Sequence, residues 1–281
     1  MISFELIEDT FSKRNSQQYE LSILLGIDSL SYLVTTGTGE VLIIKKHAYE
    51  ASYLPANFAA RLDQLMREDR LLQQSFRSTK LAVFNEHNTL IPNRLYNPEE
   101  KRTYLEKVVD LPTDYVVEVD ELALANAHHL YALPKEMSSA LRRYFSGAKI
   151  FHAGTPLYLA AQKKAAKLVN KSVYVNLMSR VLQIQIFDRD ELIFYNAFPF
   201  ATAKDFLYYL LLVFDQFNLK QEETPVYLSG DIMQDSELYH QLYRYIAKLN
   251  MLSPKDWYQF GVRGQQAELH RFYDLCALKF C

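Results

Sequence analysis

Four groupings of residues have types that could carry chemistry. Asp188-Arg189-Asp190-Glu191 sets carboxylates side by side, as acid–base catalysis requires, since two carboxyls in different surroundings hold different proton affinities. His128-His129 offers two imidazoles to a metal. Cys276 follows His270 by six residues, a thiol and a base of the kind a nucleophilic centre uses. Lys163, Lys164, Lys167 and Lys171 could face phosphate or lipid headgroups. Spacing weighs against each. Neighbours in an extended segment point to opposite faces, so the histidine pair does not share a ligand. A separation of six does not bring thiol and imidazole to one helix face, and the default is a core thiol. The carboxylate run falls at an expected hairpin turn, where water solvates it. The lysines read as a solvated helix face. No GxxxxGK[ST], GxSxG, HExxH or CxxC occurs.

Composition narrows the classes further. The 281 residues are 49% apolar and 23% charged with net charge −2, ordinary globular material. That balance gives no global reason to expect nucleic acid or anionic lipid as partner. Cys276 and Cys281 both sit in the last six residues, which is no disulfide framework and suits a reducing cytoplasm. The start, MISFELIEDTF, lacks the basic and apolar regions of a signal peptide. The apolar run Phe206 to Phe214 is too short to span a bilayer and reads as a buried helix. With 8 glycines, the chain is poor in the residue that lets backbone amides wrap a phosphate. The 20 tyrosines and 17 phenylalanines suit wide sheets and partner-facing surfaces.

The elements that would position these residues form a pattern made twice. Leu21–Leu25, Leu30–Val34 and Val41–Ile44 are apolar runs separated by turn signals, a β-meander covered on both faces. A helix is expected at about 56 to 76, a strand at Leu81–Phe84, a loop or linker over Asn85–Pro98, helical composition over Glu99–Val108 and a strand at Tyr115–Val119. Helices then follow Pro134 and Thr155-Pro156, the second running to about Asn170, with a strand at Lys149–His152 between them. The meander returns as Val173–Leu177, Val181–Phe187 and Leu192–Tyr195. After it come a helix from Ala203 to Phe217, a strand at Pro225–Ser229, an amphipathic helix from Asp235 to Leu249, and a strand-like tail. The expected fold is α/β, in two duplicated lobes, 1–170 and 171–281, with a cleft between them.

This order resembles the actin-like ATPase superfamily of sugar kinases, chaperone ATPases and bacterial actin relatives, whose lobes are ribonuclease-H-like. Gly26-Ile27-Asp28 with Ser31 resembles its first phosphate hairpin. Val175-Asn176 with Ser179-Arg180 stands where the second belongs, and the strand and turn ending in Gly230-Asp231 resembles the segment that packs on adenosine. More closely, the chain is similar to an uncharacterised family typical of Bacteroidetes with that fold and no assigned activity. The resemblance implies a site for ATP with magnesium made by Asp28, Ser31, Asn176, Ser179, Gly230 and Asp231, with Asp28 the catalytic residue if the site is active.

Departures from the pattern set the functional expectation. Leu30 and Met178 fill the two glycine positions, where side-chain bulk would enter phosphate space. Asn176 replaces a carboxylate and loses the charge that attracts magnesium. The chain therefore reads as a non-catalytic cytoplasmic interaction or scaffold protein with a protein or peptide partner, a pseudoenzyme on an ATPase fold. The alternative is a divergent nucleotide-binding ATPase or kinase. A third reading, binding to an anionic surface, depends on the lysine stripe.

Overall fold

A computed structural model describes residues 2–49 and 58–281. The chain divides into two compact units: Met1–Thr155 with Trp257–Ala267, and Pro156–Asp256 with Glu268–Cys281. The expected divide at 170/171 falls inside the second.

The first unit opens with β1 (Ile2–Ile7) and the meander β2 (Tyr19–Leu25), β3 (Ser29–Thr36) and β4 (Glu40–Ala48). Helix α1 (Phe58–Glu68) leads to β5 (Ser78–Val83). Next come β6 (Asn88–Pro92), α2 (Lys101–Glu106), β7 (Tyr115–Leu122) and β8 (Ala127–Pro134), then α3 (Lys135–Tyr144) and β9 (Lys149–His152). The main sheet runs β1-β4-β3-β2-β5-β9, with β2 antiparallel to β3 but parallel to β5, and β5 parallel to β9. A separate antiparallel sheet runs β6-β8-β7.

Helix α4 (Gly154–Ala165) precedes the second meander, β10 (Ser172–Met178), β11 (Val181–Asp188) and β12 (Glu191–Pro199). Helix α5 (Ala203–Gln216), β13 (Val226–Gly230), α6 (Glu237–Tyr245) and β14 (Leu249–Met251) follow. The sheet order is β12-β11-β10-β13-β14, with β10, β13 and β14 parallel. Third, second and first meander strands and then two parallel strands is also the order of β4-β3-β2-β5-β9. The duplication expected from the repeated apolar runs is therefore real at the level of topology. The chain then returns to the first unit, where β15 (Gln259–Phe260) pairs with β4. Beside it α7 (Val262–Gln265) is fixed by Arg263, which donates to the Ile7 carbonyl at 2.8 Å and to Asp9 at 2.9 Å. Helix α8 (Tyr273–Ala277) lies in the second unit.

Local sequence explains most boundaries. Strand β10 is buried along its whole length, as its near-continuous apolar run required. Thr202 caps α5 by accepting the Asp205 amide at 3.2 Å while the Asp205 carboxylate accepts the Thr202 amide at 2.9 Å, a capping box. Alternate residues of β10, β11 and β13 (Val175, Ile184 and Leu228 among them) pack with Phe206, Leu210 and Leu242 of α5 and α6.

Five expectations are corrected. Helix α1 stops at Glu68, not near 76, because Asp69 turns into the protein interior; residues 56 and 57 lie outside the described residues. The expected loop Asn85–Pro98 contains β6, where pairing with β8 overrides weak local propensity, and Pro92 is tolerated because β6 is an edge strand. Helix α4 ends at Ala165, so Lys167 and Lys171 do not continue a helical stripe from Lys163 and Lys164. Helix α6 ends at Tyr245, because buried Ile246 adopts extended backbone and feeds β14. The tail is helical: Tyr273 through Leu278 are all buried, and a helix apolar on every side is indistinguishable from a strand by periodicity.

Gly230 closes the end of β13. Its φ is +88°, and a Cβ there would lie 2.0 Å from the Leu177 carbonyl oxygen on β10. Gly230→Ala combines left-handed strain with a backbone clash and is expected to cost about 3 kcal/mol or more. Urea unfolding measures it, and an unchanged midpoint would contradict the close approach.

Candidate functional site

The sequence-selected residues fall into two groups, one in each unit. Asp28 lies in the β2–β3 turn, half-buried, and its carbonyl accepts the Tyr49 amide at 2.8 Å. The Tyr49 hydroxyl closes the same turn, donating to the carbonyls of Gly26 at 3.1 Å and Ser29 at 3.0 Å. The Asp28 carboxylate has no partner among the described residues. Ser31 is buried on β3, opposite Lys46. Leu30 is 1% exposed and packs in the apolar core with Ile23, Leu62 and Leu81. Its bulk goes into the core of its own unit, which corrects the expectation that it crowds a phosphate.

In the second unit the chain gathers Asn176, Gly230 and Asp231 around Leu177. Asn176 is 4% exposed, and its Oδ1 accepts from Ser229 Oγ at 2.8 Å. The Leu177 carbonyl accepts the Asp231 amide at 2.9 Å. Ser179 occupies the β10–β11 turn with φ 57°, and Met178 beside it is buried. The C-terminal segment packs on the Gly230-Asp231 turn: Arg271 pairs with Asp231 at 3.4 Å, and His270 Nε2 donates to the Ile232 carbonyl at 2.7 Å.

The strongest polar constellations are ones the sequence reading missed, and both belong to the first unit. Cross-strand register aligns Tyr32, Lys45 and Glu5 in a row across β3, β4 and β1. Asp69, just past α1, drops onto that row. Its Oδ2 accepts from His47 Nε2 at 2.8 Å, Tyr32 at 2.9 Å and Lys45 at 3.0 Å, while Oδ1 accepts the Leu71 amide at 3.1 Å. Glu5 holds Lys45 from the other side at 2.8 Å. Burial alone would raise the Asp69 carboxyl, but the bonds from His47, Lys45 and Tyr32 outweigh it and hold it well below the usual carboxylate range. Desolvation likewise opposes the Lys45 charge, yet Glu5 and Asp69 keep its pKa above the ordinary value. Every member is engaged, so the cluster is a structural anchor.

The second constellation joins the small sheet to the start of α4. Asp120 on β7 accepts the His152 amide at 2.8 Å and the Thr155 hydroxyl at 2.6 Å. Thr155 Oγ1 also lies 3.1 Å from His129 Nδ1, and His129 Nε2 lies 3.1 Å from Asn88 Oδ1. Carboxylate, hydroxyl and imidazole in line are the parts of a nucleophile and its base. Thr155 is 2% exposed, however, and Asp120, His129 and His152 are buried with it, which closes its hydroxyl to a substrate. The row is a latch. Burial pushes the Asp120 carboxyl up to about 6 against the bonds it accepts. Burial likewise lowers His152 to about 4 and, with the neighbouring His152, holds His129 well below its ordinary value.

The remaining motif residues have local explanations. His128 stacks on Tyr96 with ring centres 3.8 Å apart, while His129 faces Thr155, so the pair diverges. Cys276 is fully buried, and that burial pushes its thiol up. Lys163 and Lys164 lie over the rings of Phe280 and Tyr227 at 4.9 and 4.7 Å. Asp188-Arg189-Asp190-Glu191 forms the β11–β12 turn. Among the described residues no group of three or more His, Cys, Asp or Glu is placed to hold a metal ion, and no helix is long and apolar enough to cross a membrane.

Two sheets that share a five-strand order, each a meander extended by parallel strands, define the actin-like ATPase fold. A solved protein of Bacteroides thetaiotaomicron, described as having that fold and unknown function, is similar at TM-score 0.82 and 20% identity, covering 97% of this chain and 99% of that one. A chain of the PilM–PilN type IV pilus biogenesis complex is similar at TM-score 0.65 and 14% identity, over 92% of this chain and 97% of that one. At these identities the likeness is one of fold. No curated protein sequence matches. The chain belongs to the family described as protein of unknown function (DUF3822), which matches residues 8–249.

Two predictions follow from the anchor and the latch. Asp69→Ala strips the counter-charge from buried Lys45 and should cost about 3–5 kcal/mol in urea unfolding; a loss under about 1 kcal/mol would be incompatible with a buried network. For the latch, the unfolded chain binds more protons at His129 and His152 below pH 6.5, so these two make stability fall as pH falls from 6.5 toward 4. Asp120 has the opposite sign: its folded pKa is raised, so its contribution declines as pH rises from 3.8 to about 6. Asp120→Asn removes that opposing contribution. Its stability should fall more steeply than the parent's on acidification across that window, by about 1.4 kcal/mol per pH unit; parallel curves would refute it.

Proposed function

We propose that this protein is a non-catalytic interaction or scaffold protein on an actin-like ATPase fold. The observation that carries the reading is Asn176. It stands where the resemblance expects a magnesium-orienting carboxylate, and it is neutral, buried and committed to Ser229 at 2.8 Å. Arg271 and His270 support the same reading, because they engage the turn that the resemblance assigns to adenosine. The partner is a protein or peptide. Tyr208 and Leu212 on α5 and Tyr243 and Tyr245 on α6 are exposed, and tyrosines of this kind anchor interfaces. The fold also occurs in the solved PilM–PilN complex. The cytoplasm remains the proposed location.

A divergent ATPase or kinase is the second reading, favoured by the carboxylate of Asp28, which has no partner among the described residues. In that version Asp28 orients metal or water, Ser31 and Ser179 donate to phosphate, and Gly230 with Asp231 lines the nucleoside. Calorimetric titration with ATP and magnesium separates the two. The scaffold reading expects no binding tighter than millimolar. Micromolar binding that Asp28→Ala abolishes would overturn it.

A further inference from the structure

Beneath α4 and α8, the second unit buries a face of its sheet that carries neutral polar groups. Asn176 on β10, Gln183 on β11 and Ser229 on β13 project from it beside Gln185, and Leu157 and Tyr273 pack over them. All four polar residues are at most 4% exposed. The Ser229 hydroxyl is satisfied by Asn176 Oδ1. Asn176 Nδ2, both end atoms of the Gln183 amide, and Gln185 Oε1 find no partner among the described residues. Turning the Asn176 amide over keeps its bond to Ser229, then donated by Nδ2.

Buried polar atoms left bare cost about 1–3 kcal/mol each, and native proteins hold few of them. Here donors and acceptors converge on one cavity of about 10 Å³. Among the described residues no charged side chain lines it. That excludes a phosphate, a carboxylate or a metal cation, each of which would need a counter-charge at such depth. The volume is enough for one water molecule.

We infer that this cavity is a built site for an internal water, held by the amides of Asn176, Gln183 and Gln185 and bridging β10 to β11 under α4. A neutral molecule that both donates and accepts is the one chemistry that answers every open group. The inference also gives Asn176 a positive role, since its amide supplies a donor that an ionised carboxylate lacks. It holds whether or not the protein binds nucleotide.

High-resolution diffraction from the full chain tests it. The expected result is one ordered density peak within hydrogen-bond distance of at least two of the three amides. No peak, or amides paired directly with one another, would overturn the inference. Gln183→Met keeps length and volume but removes donor and acceptor. It should abolish the peak and lower the folding equilibrium constant about tenfold, as the water and its other partners lose a bond. A variant that folds more stably than the parent would mean a dry cavity, and the inference would fail. Should the variant not fold, the parent crystal still decides.

Discussion

Burying both faces of a sheet is the constraint on which this molecule depends. In each unit the first meander strand sits between an antiparallel and a parallel neighbour, and all of it but Glu20 is buried. One face can be wholly apolar, as with Val173, Val175 and Leu177 against α5 and α6. The other must also be dry, and whatever polar groups it carries must be satisfied inside. The two units answer that demand differently, and the differences locate their polar chemistry.

The first unit answers with charge. Register puts Tyr32, Lys45 and Glu5 side by side, and the sequence stops α1 one residue before Asp69 so that its carboxylate can lie across them. A single anion then serves a cation, an imidazole, a phenol and a backbone amide. That multiplicity matters, because a buried ion pair alone barely repays its desolvation. Asp120 does comparable service at the other end of the sheet, tying β7 to the start of α4. Both carboxylates are buried, but Asp120 accepts from a neutral amide and a hydroxyl where Asp69 faces Lys45, so its proton affinity rises where that of Asp69 falls.

Much of the fold was legible because it rests on apolar runs. The six meander strands, α5 and β9 are written as continuous or periodic hydrophobics, and burial follows them in five of the meander strands, whereas β12 is only half-buried. The small β6-β8-β7 sheet was half hidden. Asn88 and Pro92 give no strand signal, and only pairing with β8 makes β6 a strand. The polar anchors were harder still. Asp69 lies 22 residues from His47 and 37 from Tyr32, and no local pattern joins residues that only register brings together. The available signals were faint: a lysine inside Val41–Lys46, an aspartate inside a β-branched run at 120, a Thr-Pro at a helix start. Leu30 teaches the reverse. Its position in the motif was legible but its direction was not, and strand alternation turned it inward.

The second unit answers the same constraint with neutral amides, and the contrast has a physical consequence. Among the described residues, the buried Asp and His groups with shifted titration (Asp69, Asp120, His129 and His152) all lie in the first unit. Proton concentration therefore acts on the stability of the first unit through its interior, whereas Asn176, Gln183 and Gln185 do not titrate. Their energy depends on hydrogen-bond geometry and on what fills the space among them. A carboxylate at 176 would have imported the pH sensitivity of the first unit into the second and, with no cation facing it, a desolvation cost that Ser229 alone could not offset. The neutral amide is thus what the packing of β10 under α4 and α8 requires. The same residue type that weakens a metal site is the one that lets this sheet be covered.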